Sequence, residues 1–149
     1  MCIVPEKKWT AVADWKFLPF AVPHDGVPNF AYIVQTSGHR LLYMTDFEYC
    51  PFTVKKLNID TFLIECNYCG DLERFENEGK YEHVLRGHSS LETVKGFIQA
   101  NMTDSLKNII LCHLSSSNSD EGQMLSEITA MVPETVNVTI ATKGKGQCL

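Results

Sequence analysis

The chain has 149 residues, 44% apolar and 21% charged, with a formal net charge of −5. That length suits one domain with its own core, and the composition excludes an intrinsically disordered chain. The acidic balance argues against a broad nucleic-acid-binding face, but not against a local basic patch or a metal ion that supplies positive charge.

Trp15 to Val22 is mostly apolar and ends at Pro23, which predicts a strand. Phe30 to Gln35 is rich in aromatic and β-branched residues, and His39 to Met44 is a further apolar run. Thr36-Ser37-Gly38 lies between these two, so they read as a hairpin with a glycine-containing loop. Thr61 to Cys66 is a short apolar run expected to be a buried strand, and the polar Tyr68 to Gly87 reads as a loop with some helix. Ser89 and Glu92 fit the S-x-x-E capping box, in which each side chain satisfies a backbone N–H at a helix start. Leu91, Val94, Phe97, Ile98 and Met102 follow at helical spacing. Asn108 to Cys112 predicts a strand. Ser119 or Asp120 then caps a second helix, whose stripe is Met124, Leu125, Ile128, Met131 and Val132 and which stops at Pro133. Val136 to Thr142 alternates as a strand, and 143–146 reads as a turn. The order predicts a single α/β domain over residues 1–149, a mixed β-sheet with helices on one face.

No stretch reaches the roughly 20 apolar residues of a membrane span, and Met1 to Lys8 holds no apolar run of signal-peptide length. The expected location is cytoplasmic. Cys2, Cys50, Cys66, Cys69, Cys112 and Cys148 accordingly read as free thiols. Cys66-x-x-Cys69 has no second pair at zinc-ribbon spacing, so neither a redox nor a zinc role is assigned to it.

Four segments place polar residues just after a predicted strand or at a helix start: Pro23 to Gly26, Met44 to Asp46, Gly87 to Ser90 and Cys112 to Ser115. Strand ends along one sheet edge are where α/β folds build sites. Histidine and aspartate there suit zinc, manganese or iron. Each residue also has a plainer reading, as a structural hydrogen-bonding group, turn residue or cap. His39 and His83 read as surface residues.

The strings FAVPHDGVPNFAYIV, LLYMTD, LIECNY, GHSSLETV and IILCHLSSSN, in that order across roughly residues 12–145, resemble the second half of the metallo-β-lactamase superfamily. The nearest branch is that of ribonuclease Z-like and small-phosphodiesterase hydrolases. By that resemblance, His24 would ligate one metal, Asp46 would bridge two, and His113 would ligate the second. His88 resembles the histidine that contacts the scissile phosphate or its leaving group. Its place at a helix start suits both anion binding and general acid catalysis. Glu65 and Asn67 match an E-x-N expected to orient ligands. Ser115 and Asn118 would touch substrate or shape the loop after the last histidine. The implied chemistry is two-metal hydrolysis of a phosphodiester, of a nucleotide or a nucleic acid.

Family members carry an H-x-H-x-D-H in the first half of the fold, and no such string occurs here. Each metal would keep one histidine and a shared Asp46, short of the three protein ligands usual in a catalytic zinc site. The resemblance therefore implies half of an αββα sandwich with an exposed inner sheet face. A face of that kind calls for a partner. The partner would be a second polypeptide bearing the missing motif, or a second copy of this chain in a non-catalytic homodimer with a degenerate metal site.

Overall fold

The structure, a computed structural model, describes residues 6–70 and 78–142. The turn expected at 143–146, with Lys143 and Lys145, and the thiols Cys2 and Cys148 lie outside the described residues. Seven strands form one sheet: β1 (Thr10–Val12), β2 (Trp15–His24), β3 (Val27–Gln35), β4 (Arg40–Met44), β5 (Thr61–Glu65), β6 (Asn108–Cys112) and β7 (Asn137–Ile140). Each strand lies beside its neighbour in sequence. β1 to β4 pair antiparallel and β4 to β7 pair parallel. The helices are α1 (Glu78–Gly87), α2 (Leu91–Asn101) and α3 (Glu121–Met131).

The β2–β3 hairpin turns on Asp25-Gly26, both at positive φ (43° and 74°), so the chain reverses in two residues. Asp-Gly is a pair that tolerates this turn, because glycine has no Cβ to clash in the left-handed region. The aspartate is locked in place by its N–H, which donates to Arg86 O at 2.7 Å. β2 runs through two prolines without losing its pairing to β3. Pro19 O accepts from Lys7 N and Pro23 O from Glu48 N, both on the side away from β3. Since N and O of one strand residue point to the same side, neither ring removes a ladder donor.

One face of the sheet meets α2 and α3. Phe20, Val22, Ala31, Ile33, Leu42 and Met44 join Phe62, Ile64, Ile109 and Leu111 in a buried cluster with Val94 and Ile98 of α2 and Met124 and Ile128 of α3. Each of these side chains larger than alanine stabilises the fold by roughly 1.5–3 kcal/mol relative to exposure. The opposite face carries the alternate residues. Register places Tyr32, Tyr43, Leu63 and Ile110 in one row across four strands. Trp15 on this face is 50% exposed and Tyr43 40%. Apart from Glu65 at its upper edge, no strand residue of this face is charged.

The helix start at residue 89 differs from the capping-box expectation. The N-cap is Ser90, whose hydroxyl accepts from Thr93 N at 3.0 Å. Ser89 is buried and donates its hydroxyl to Glu65 O at 3.0 Å. Glu92 pairs with Lys95 instead of folding back to the helix end. Asp120 caps α3, accepting from Gln123 N at 2.9 Å, while Ser119 bonds Ser115 O. Among the described residues Cys50, Cys66, Cys69 and Cys112 are free thiols, and no helix is long and apolar enough to cross a membrane.

Candidate metal centre

Asp46 follows β4, Glu65 ends β5 and His113 follows β6, so three adjacent parallel strands deliver them to one edge of the sheet. His88 arrives from the other direction, between α1 and α2. The backbone bends sharply to present two of them: Asp46 has φ 54° and His113 also φ 54°. Non-glycine residues in that region are uncommon and cluster at functional sites. The surroundings hold both in place. Asn29 Nδ2 donates to Thr45 O and Asp46 O, and Asn67 Nδ2 donates to His113 O at 2.8 Å.

Glu65 organises the centre. It is fully buried, and each carboxylate oxygen takes two donors. Oε1 accepts from His88 Nδ1 at 2.8 Å and Ser89 N at 3.3 Å. Oε2 accepts from His113 Nδ1 at 3.0 Å and from the Asp46 N–H. With its lone pairs taken, Glu65 has no oxygen left for a cation. It serves to hold both imidazoles in the tautomer with the proton on Nδ1, which turns the Nε2 lone pairs outward. The same hydrogen bond pushes the His88 pKa above the usual imidazole value, against the opposing pull of burial.

Ligand atoms of Asp46, Glu65, His88 and His113 all lie within 4.8 Å of one another. Asp46 Oδ1 is 3.6 Å from His113 Nδ1. Subtracting Glu65 on the hydrogen-bond argument leaves the Asp46 carboxylate and the His113 imidazole as donors, with His88 beside them. This mixed N/O donor set fits a borderline divalent ion such as zinc.

Of the residues singled out from the sequence, Asp46, His88, His113, Glu65 and Asn67 come together here. His24 stands one ring further out: its centroid is 5.4 Å from His88, and Nδ1 donates to Gly87 O at 2.5 Å. Gly87 suits this packing, because a Cβ there would lie a tight 3.2–3.3 Å from the His24 ring. Ser115 is engaged in its own loop, its hydroxyl accepting from the backbone of Ser117 and Asn118. Asn118 lines a separate cavity of about 350 Å³ with Glu92 and Asp120, which none of these histidines lines. Asn29, which the sequence reading passed over, supports the centre, and His83, exposed as expected, sets its ring 5.7 Å from His88. The Cys66 and Cys112 thiols are pushed up to about 12 by burial, and Cys69 is raised for the same reason. None of the three is poised as a thiolate.

No protein-family model matches the chain, and no curated protein does. Solved structures do. The metallo-β-lactamase fold protein YhfI from Bacillus subtilis superposes with a TM-score of 0.69 at 14% identity, over 95% of this chain and 53% of its own. Zinc-bound PqqB from Methylobacterium extorquens gives 0.67 at 14%, over 98% and 55%. A diphosphatase of the PhnP family gives 0.59 at 16%, over 95% and 46%. The chain has the metallo-β-lactamase fold. It spans about half the length of these structures.

Proposed function

We propose that this chain is part of a metal-dependent hydrolase acting on phosphodiesters, with the remaining ligands contributed by a polypeptide that packs on the uncovered sheet face. The observation that carries the reading is the buried Glu65, which orients His88 and His113 beside Asp46 with both Nε2 atoms turned outward. On the two-metal reading, His24, Asp46 and His113 would be among the ligands of zinc-class ions that activate water and polarise the phosphoryl group. His88, with its raised pKa and Nδ1 anchored on Glu65, holds a proton that Nε2 can pass to the leaving oxygen. The fold shared with a diphosphatase and with a zinc-bound protein supports the same class of chemistry.

The test joins metal analysis to mass in solution, on protein purified without chelator. A multi-chain species containing metal, with turnover of an aryl phosphodiester that disappears in His88→Asn, supports the reading. A metal-free species with no turnover overturns it. A second reading is favoured by the absence of exposed charge on the uncovered face, which lets two copies pack sheet to sheet without repulsion. On that reading the chain is a homodimeric binding or regulatory module, and a metal-free two-chain species is the expected result.

A further inference from the structure

His83 lies on the last turns of α1, among the histidines of the centre. Its Nδ1 bonds Asp25 Oδ2 at 2.8 Å. Its ring centroid is 6.4 Å from His24 and 5.7 Å from His88. Asp25 does not drift, because it sits at the tip of the β2–β3 hairpin with its N–H bonded to Arg86 O. A carboxylate accepting from Nδ1 leaves the neutral ring with its lone pair on Nε2. His24 has the same tautomer for a stricter reason: a carbonyl, that of Gly87, can only accept. Hairpin and helix therefore bring two imidazoles side by side, each with a bonded Nδ1–H and an open Nε2. An imidazole backed by a carboxylate or a backbone carbonyl is the arrangement that supports metal-ligating histidines.

The geometry points to His83 as a metal ligand, binding together with His24 a divalent ion of the zinc class. The inference rests on the reading that His24 holds a metal, and adds a nitrogen donor from this chain itself. The two rings meet edge to face with centroids 6.4 Å apart, and an ion bound between them would draw the Nε2 atoms together. His83 has room to move, since its side chain is 55% exposed and held by a single hydrogen bond. The competing account is an exposed ion pair that tethers the hairpin to α1. Such a pair contributes little to stability and nothing to metal affinity.

Cobalt(II) titration of the purified chain separates these accounts, followed by visible absorption and proton NMR. An imidazole bound through Nε2 with Nδ1 protonated gives a contact-shifted exchangeable resonance. His83→Gln is expected to remove one such resonance and to weaken cobalt binding at least about tenfold, with an unchanged circular dichroism spectrum. Asp25→Asn, which removes only the orienting charge, is expected to weaken it about 10–100-fold. His39→Gln is the control, since that ring lies at the β3–β4 loop. If His83→Gln keeps the full set of shifted resonances and wild-type affinity while His24→Gln loses one, His83 is not a ligand and the His24 reading survives. If neither variant changes the spectrum, or the wild-type chain takes up no cobalt, both are overturned.

Discussion

Glu65 concentrates the consequences of a single buried carboxylate. It receives two histidines and two backbone N–H groups from three separate segments. Glu65→Gln would turn an amide N–H₂ donor toward groups that themselves donate, at a cost of about 1.5–3 kcal/mol, the usual worth of a hydrogen bond to a charged group. Urea unfolding of the metal-free protein measures it. The same change should bring the His88 pKa down toward the ordinary imidazole value, as read from its Cε1–H chemical shift against pH. The sign of the linked stability follows from the raised pKa. The His88–Glu65 contribution is present below the ordinary imidazole range and is lost as pH rises through the raised value. Gly87→Ala makes an independent residue-scale prediction. The new Cβ meets the His24 ring at 3.2–3.3 Å, so the imidazole or α1 must shift by a few tenths of an ångström. Loss of the His24–Gly87 hydrogen bond is the expected NMR signature, with the sheet intact.

At the scale of elements, α2 makes the cap assignment testable. Ser90→Ala should cost about 1 kcal/mol, the typical worth of an N-cap, whereas Glu92→Ala should cost no more than an exposed ion pair. Comparable losses in both variants would restore the capping box over Ser89 and Glu92. α2 is also clamped to α3 by Lys95, which bonds Glu127 at 2.7 Å and Glu92 at 2.9 Å. Its partner Glu127 is held below its ordinary pKa chiefly by the hydrogen bond from Lys95 and also by that from Gln123. The contribution is therefore present above the ordinary carboxylate range and fades as pH falls through the lowered value. Lys95→Met should flatten that acid limb of the stability curve. Periodicity made the elements legible where one face is buried: the β3–β4 hairpin, β5, β6 and the stripes of α2 and α3 all lie where apolar spacing puts them. It missed β1, a three-residue edge strand with no buried face to pattern it. It placed the cap one residue early because both serines satisfy the motif, and only the tertiary bond from Ser89 to Glu65 O separates them. Asp46, His88 and His113 were legible as strand-end and helix-start residues. His83 was not, because the partner that orients it, Asp25, is 58 positions away.

For the whole molecule, the sheet face opposite α2 and α3 carries exposed apolar side chains, among them Val12, Trp15, Phe30 and Tyr43. Large contiguous apolar patches are rare on soluble monomers. This face ends at Glu65, so a chain packed on it, as proposed above, would border the candidate metal centre. Tyr43→Lys places a charge in the middle of the row formed by Tyr32, Tyr43 and Leu63. It should reduce any assembled species to a single chain in sedimentation, without altering circular dichroism, since Tyr43 is 40% exposed in the isolated chain. An assembly that persists in this variant would show that the contact lies elsewhere.

The sheet changes character at β4, antiparallel before it and parallel after it, and that seam bears on how the chain reaches its native state. Hairpins close over a few residues, whereas parallel neighbours wait for a crossover, and closing the longer loop is the slower event. The β2–β3–β4 meander should therefore gain hydrogen-exchange protection first, and β5, β6 and β7 later. Asp46 stands just past the seam and Glu65 and His113 lie beyond it, so early intermediates hold a sheet without a centre. A metal that binds only the finished arrangement would act on the last stage, slowing its reversal more than hastening its arrival. Pulsed exchange with and without zinc would show that as a longer-lived native state at an unchanged rate of meander formation.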